Sequence, residues 1–248
     1  MAIITAPDEI TSLRKSGRIA AQALRAVVAA VRVGVTTAEL NEIAERSILE
    51  QGGTPSFKGY EGYPFTLCTS VNDVVVHGMP SDRTLAEGDI IGLDIGAVYE
   101  GLYSDHAITV GVGRISADLQ RLITDTEQSL KIGLRQVRPG QRIGDIGAAI
   151  SAFLEPRGYG IVTQLTGHGL GYAVHEPPAI PNIGRPNTGP VIRSGMVLAI
   201  EPMVTLGQPQ VVTGDDGWTI TTVDHSASAH AEHTVLVTEH GCDIITTP

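Results

Sequence analysis

Apolar residues recur at helical spacing near the start of the chain. Ile10, Leu13, Ile19, Ala20, Leu24, Val27 and Val31 predict an amphipathic helix from Asp8 to Val33. A second helix follows at once: Thr36 with Glu39 forms a capping-box signature, Leu40, Ile43, Ala44 and Ile48 make one apolar stripe, and Gly52-Gly53 ends it. The plan then returns. Ser116 opens a helix through Leu119, Ile123, Leu130 and Leu134, Pro139-Gly140 breaks it, and Ile143 to Leu154 makes another. After each helix pair the β-branched content rises, from Leu67 to Val76, from Asp89 to Val110 and again beyond Val191, with Gly and Pro at the breaks. Helices grouped ahead of strands, rather than alternating with them, predict an α+β fold in which helices cover one face of a curved antiparallel sheet. The other face is left free to hold a site.

Composition narrows the class. The chain has 248 residues and a formal net charge of −10, with no cluster of Lys and Arg, which argues against nucleic-acid binding through counterion release. Two cysteines, Cys68 and Cys242, cannot form a disulfide framework, and 42% apolar residues supply a core without one. No secretory signal pattern and no long uninterrupted apolar run occur. A soluble protein of the reducing cytoplasm is expected.

The two halves also share phrases. Val76-His77-Gly78-Met79-Pro80 precedes Gly88, and Asp94 follows that glycine by six residues; Val174-His175-Glu176-Pro177-Pro178 precedes Gly195, and Glu201 again follows by six. Asp105-His106 ahead of Ala107-Ile108-Thr109-Val110 is answered by Glu232-His233 ahead of Thr234-Val235-Leu236-Val237, and Val31-Arg32-Val33-Gly34 by Val137-Arg138-Pro139-Gly140. Matches in one order predict an internal repeat, approximately 8-114 and 115-248, fused into a single domain over 1-248.

The repeat selects the chemistry. With a two-residue turn at Tyr99-Glu100, Asp94 would pair directly with Asp105, a bulge at Gly101 slipping this by one, and like charges so placed require neutralisation. No Lys or Arg lies between Arg83 and Arg114, so a divalent cation is the natural remedy. Glu201 and Glu232 hold matching positions in the second half, and two divalent ions would cancel the four acids, with one imidazole completing the ligand shell. Glycine and proline context sets His77, His168 and His175 apart as functional candidates; His106, His225, His230, His233 and His240 are read as ordinary polar side chains.

The segments GYEGYPFTLCTSVNDVVVHGMP, GDIIGLDIGAVYEGLYSD, GHGLGYAVHEPPAIPNIG, GMVLAIEPMV and GWTITTVDHSASAHAEHTVLVTEHG resemble the methionine aminopeptidases, type I in the bacterial style, of the pita-bread fold (creatinase/aminopeptidase, peptidase family M24). The resemblance implies two pseudo-symmetric halves and five ligands, Asp94, Asp105, His168, Glu201 and Glu232, holding two divalent ions (Co, Mn, Fe or Zn). It implies removal of the N-terminal methionine by a metal-bridging hydroxide, with Glu201 moving a proton and His77 and His175 handling the substrate. Tyr60, Tyr63, Cys68, His77, His175 and Trp218 are the implied substrate contacts, with Phe57 and Val174 altering the pocket wall. The implied partners are N-termini of nascent polypeptides with small second residues and the ribosome, and the expected state is monomeric and free of membranes. Two other readings belong beside it. Proline-specific peptidases share the fold but carry an arginine just before the last glutamate, where this chain has Ala231; a pita-bread binding module without catalysis would not keep all five ligands.

Overall fold

The computed structural model describes residues 1–248. Helices α1 (Pro7–Ala30) and α2 (Thr37–Glu50) precede the first strands, and α3 (Ala117–Leu134) and α4 (Ile143–Leu154) precede the second set. α1 ends at Ala30, three residues before the expected Val33, because Val31 is already extended (φ −64, ψ 120). The capping box on α2 is complete: Glu39 N–H donates to the Thr36 hydroxyl, and the Glu39 carboxylate accepts from Thr36 N–H. Such a cap contributes about 1 kcal/mol. Ser116 likewise caps α3 through Leu119 N–H.

A nine-stranded sheet forms the body. Its strands are β1 (Thr54–Pro55), β2 (Leu67–Val71), β4 (Ile90–Tyr99), β5 (Leu102–Gly111), β7 (Thr166–Gly169), β8 (Glu176–Pro181), β9 (Val197–Ile200), β14 (Glu232–Val237) and β15 (Cys242–Ile244). The main order is β1-β4-β5-β14-β9-β7-β8, with β2 beside β4 and β15 beside β14, and the pairings are antiparallel. Two three-stranded sheets flank it: β6 (Gly160–Ile161), β10 (Met203–Thr205) and β13 (Ser228–His230) in one, β3 (Val74–Val76), β11 (Val211–Thr213) and β12 (Ile220–Thr222) in the other.

Strand alternation assigns the faces. On β4, Ile91, Leu93, Ile95 and Ala97 pack with α1 and α2 residues such as Ile19, Leu24, Leu40 and Ile48 in one buried core. Leu198, Ile200, Val235 and Val237 pack with α3 and α4 residues such as Leu122, Leu130, Ile146 and Ile150 in a second. Each half thus covers its own part of the sheet with its own helix pair. Matching loops share backbone geometry: Gly34 and Gly140 lie at φ +88 and +89, Gly88 and Gly195 at φ +93 and +84. The intervening positions, Asp94 and Gly96 on β4 or Glu232 and Thr234 on β14, face the opposite side.

The β4–β5 register differs from the expected one. Tyr99 pairs with Leu102, so the turn is Glu100-Gly101, Asp94 lies opposite Ala107, and Asp105 lies opposite Gly96. Glu100 and Gly101 both have positive φ, +49 and +79, the pair required by a hairpin turn that matches strand twist. A glycine at the second central position meets that demand, and Gly101 moves the turn one residue along. The shift is two positions in the pairing, so both aspartates stay on one face as diagonal neighbours.

Candidate metal centre

The five expected ligands fall on two adjacent rows that cross the sheet. In the first, Cys68 pairs with Asp94, Asp94 with Ala107, and Ala107 with Glu232. The β9–β14 and β10–β13 ladders keep one register through the break at Pro202, which places Glu201 across from Glu232. In the second row Gly96 pairs with Asp105, and Ala199 pairs with both Thr234 and His168. Between Asp105 and Thr234 the threonine hydroxyl replaces the ladder, accepting from Asp105 N–H at 2.9 Å and donating to its carbonyl at 2.7 Å. Ala107, between Asp94 and Glu232, is small and leaves room between the two carboxylates, whereas the space over Gly96 is taken by Ser56 Oγ and the Phe57 ring.

One ligand atom each from Asp105, His168 and Glu232 lies within 4.8 Å of the others. His168 Nε2 is also 3.5 Å from Glu201 Oε1 and 3.9 Å from Asp105 Oδ2. Asp94 joins the same cavity wall, one diagonal step from Asp105. The glycines around His168 serve close approach: a Cβ on Gly167 would meet the Ala199 carbonyl oxygen, and one on Gly169 the Pro177 carbonyl oxygen.

Asp94, Asp105 and Glu232 are buried, and Asp94 Oδ1, Asp105 Oδ1, Glu232 Oε1 and His230 Nε2 have no hydrogen-bond partner. An uncompensated buried carboxylate costs several kcal/mol, far more than a single hydrogen bond returns. The strain registers in their protonation. Burial pushes Asp94 up to about 6. Burial and then the charges of Asp94 and Glu201 hold Asp105 well above the carboxylate range, and burial followed by Asp105 does so for Glu232. Glu201 is the exception: burial favours its neutral form, but His230 and His168 hold it below the ordinary value. Hard, anionic oxygen donors with one imidazole and several orphaned lone pairs fit divalent cations.

Beside this cluster opens a cavity of about 350 Å³ lined by Phe57, Tyr60, Tyr63, Cys68, His77, His175, Met203 and Trp218, among others. All six expected substrate contacts therefore converge. Trp218 meets Tyr63 edge-on at 5.1 Å and His77 at 6.2 Å between centroids. Asp216 fastens that loop by accepting from the backbone N–H of Trp218 and Thr219. His77 follows β3 in the left-handed region, φ +58, a kink that turns the chain at the cavity edge. Burial holds His77 and His175 below the usual imidazole value, His175 at about 4, so both are neutral near pH 7. Phe57 and Val174 pack with Tyr63 and Cys68 as the apolar wall. Burial raises the Cys68 thiol well above its ordinary value, keeping it protonated.

The histidines beside the ligands separate by strand parity. His106 and His233 pair across β5 and β14 and stack at 4.6 Å with 17° between planes, turned to the helix-covered face. His225 and His240 are exposed. His230, read from sequence as an ordinary polar residue, instead lies in the centre: its Nε2 is 3.5 Å from Glu201 Oε2 and 3.9 Å from Glu232 Oε2. Its spacing of two from Glu232 on an extended strand was the signal for it.

Comparison with known proteins gives the family. The family model of Metallopeptidase family M24 matches residues 11–239. A protein of Bacillus subtilis named methionine aminopeptidase 1 is 46% identical over 246 residues, covering 99% of each chain. A crystal structure of methionine aminopeptidase from Thermotoga maritima superposes with TM-score 0.98 at 42% identity, covering 100% of both chains. A prolidase from Pyrococcus furiosus, TM-score 0.82 at 24% identity, shares the fold over 100% of this chain and 66% of its own.

Proposed function

The chain belongs to metallopeptidase family M24, and we propose that it is a methionine aminopeptidase whose reaction is carried by the two ligand rows and the cavity beside them. The observation that carries this reading is the set of orphaned buried polar atoms on Asp94, Asp105 and Glu232 at the edge of an apolar cavity. Asp94, Asp105, His168, Glu201 and Glu232 would hold two divalent ions, of Co, Mn, Fe or Zn. Such ions, when bound, supply an activated water and Lewis-acid stabilisation of the developing oxyanion.

The chain's own residues supply the rest. Glu201, held ionised between His168 and His230, is the base that takes a proton from the attacking water and returns it to the leaving amine. His77 and His175, neutral at the cavity wall, donate hydrogen bonds to the peptide carbonyl region of the substrate. A methionine side chain fits between Tyr60, Tyr63, Cys68 and Trp218, where thioether–aromatic contacts contribute about 0.3 to 1.5 kcal/mol each. The free α-amino group of the substrate would be bound, as the neutral amine, at the ion site these carboxylates hold, which restricts cleavage to a chain end.

The substrates are N-termini of nascent polypeptides with a small second residue. The whole chain acts as one catalytic domain built from two halves, about 8–114 and 115–248. No helix is long and apolar enough to cross a membrane. A cytoplasmic monomer that meets its substrates at the ribosome completes the reading.

One assay tests it: hydrolysis of Met-Ala-Ser and of X-Pro peptides, with and without chelator. Metal-dependent release of methionine from Met-Ala-Ser is expected. Cleavage of X-Pro alone would place the chain with the proline-specific peptidases, and no metal-dependent cleavage of either would point to a binding module.

A further inference from the structure

His230 is 3% exposed, and its Nε2 has no hydrogen-bond partner, yet it faces Oε2 of Glu201 at 3.5 Å and Oε2 of Glu232 at 3.9 Å. Its backbone is clamped. The Thr109 hydroxyl accepts from His230 N–H at 2.9 Å and donates to His230 O at 2.8 Å, and His230 pairs with Met203 in the β10–β13 ladder. That register makes His230 the diagonal neighbour of Glu201, within reach of a long side chain on the same face.

Glu201 lies between two imidazoles. Oε1 is 3.5 Å from His168 Nε2, and Oε2 is 3.5 Å from His230 Nε2. The terminal torsion of a glutamate is broad and roughly two-fold, so nothing in its own side chain decides which oxygen faces the ligand cluster. Contacts must decide it. His230 Nε2 and His168 Nε2 meet different oxygens of the Glu201 carboxylate, so a donor at His230 fixes which oxygen is left on the His168 side.

We propose that His230 is a positioning residue: its Nε2–H holds Oε2 of Glu201, so that Oε1 is presented on the His168 side where the ion and the attacking water belong. This deepens the aminopeptidase reading and rests on Glu201 being both ligand and proton carrier. Hydrogen-bond partners of metal ligands are worth 10- to 100-fold in affinity or activity when removed.

The test is calorimetric titration of the metal-stripped full chain with Co²⁺, the visible absorption of the Co²⁺ protein, and kinetics on Met-Ala-Ser. His230→Leu, with His230→Ala in its place should the leucine protein not fold, removes the donor; His230→Gln keeps one. The donor-free variant is expected to bind Co²⁺ and turn over about 10- to 100-fold more weakly, with KM changed about two-fold or less. His230→Gln should recover most of both, with the wild-type Co²⁺ spectrum. Wild-type affinity and turnover without the donor would overturn the proposal. So would His230→Gln falling as far as the donor-free variant with an altered spectrum, which would make the nitrogen a direct ligand. Absence of Co²⁺ binding by the wild-type protein would instead defeat the metallopeptidase reading itself.

Discussion

The phenol oxygen of Tyr60 lies 3.1 Å from Nδ1 of His175, with the two rings tilted at 5.4 Å between centroids. Burial and then the charge of Glu61 raise the Tyr60 phenol above its ordinary value, and burial keeps His175 neutral, so the O–H donates to Nδ1. That assigns the remaining proton to Nε2, the nitrogen free to donate elsewhere. Tyr60→Phe removes a hydrogen bond of about 1 kcal/mol, and kcat/KM for Met-Ala-Ser is expected to fall about five-fold. Unchanged steady-state kinetics would remove Tyr60 from this role.

Glu201→Gln retains the shape of the side chain but cannot accept the proton of the attacking water. Turnover is expected to fall about 10²- to 10⁴-fold, the range for general acid–base groups. Wild-type kcat in that variant, measured with saturating metal, would assign the proton transfer to another residue.

The buried carboxylates predict how metal and pH combine. In the metal-free chain Asp94 titrates at about 6, and Asp105 and Glu232 are raised further above their ordinary values. With folded values raised, the stability linked to these groups is fully present below the unfolded carboxylate range and is lost as pH rises through 6 and beyond. Metal binding needs them ionised, so protons compete with the ions. At metal concentrations 100-fold above Kd the stabilisation is about 2.7 kcal/mol, or roughly 5 to 10 °C for a chain of this size. Thermal melts with and without Co²⁺ should show that rise at pH 7.5 and little of it at pH 5. An equal rise at both values would contradict the assigned ligands.

Gly167 marks a packing limit beside His168. A Cβ there would collide with the Ala199 carbonyl oxygen, a backbone atom that cannot swing away. Gly167→Ala is expected to cost about 1 to 3 kcal/mol in urea unfolding, as overpacking does. Because β7 carries His168 against β9, Co²⁺ affinity should weaken with it; calorimetry on the folded variant reads that directly.

Much of this was legible along the chain because the signals are local. Helix periodicity located all four helices, the Thr36–Glu39 box located a cap, and the six-residue step from Gly88 to Asp94 and from Gly195 to Glu201 marked matching strands. A two-residue period also explains why His106 and His233, though adjacent to acids, turn to the other face.

Other features depended on partners distant in sequence. The hairpin register was settled at Glu100-Gly101, where backbone handedness, not the aspartates, chose the turn. His230 entered the centre through a register shared by two separate ladders and a clamp from Thr109, 121 residues away. By itself the amino-acid order determined which residues alternate onto one face of each strand, because side-chain direction follows from the pleat. Only the tertiary structure decided which strands lie side by side and in what register, because those choices belong to turns, hydroxyl clamps and packing between segments that meet only on folding.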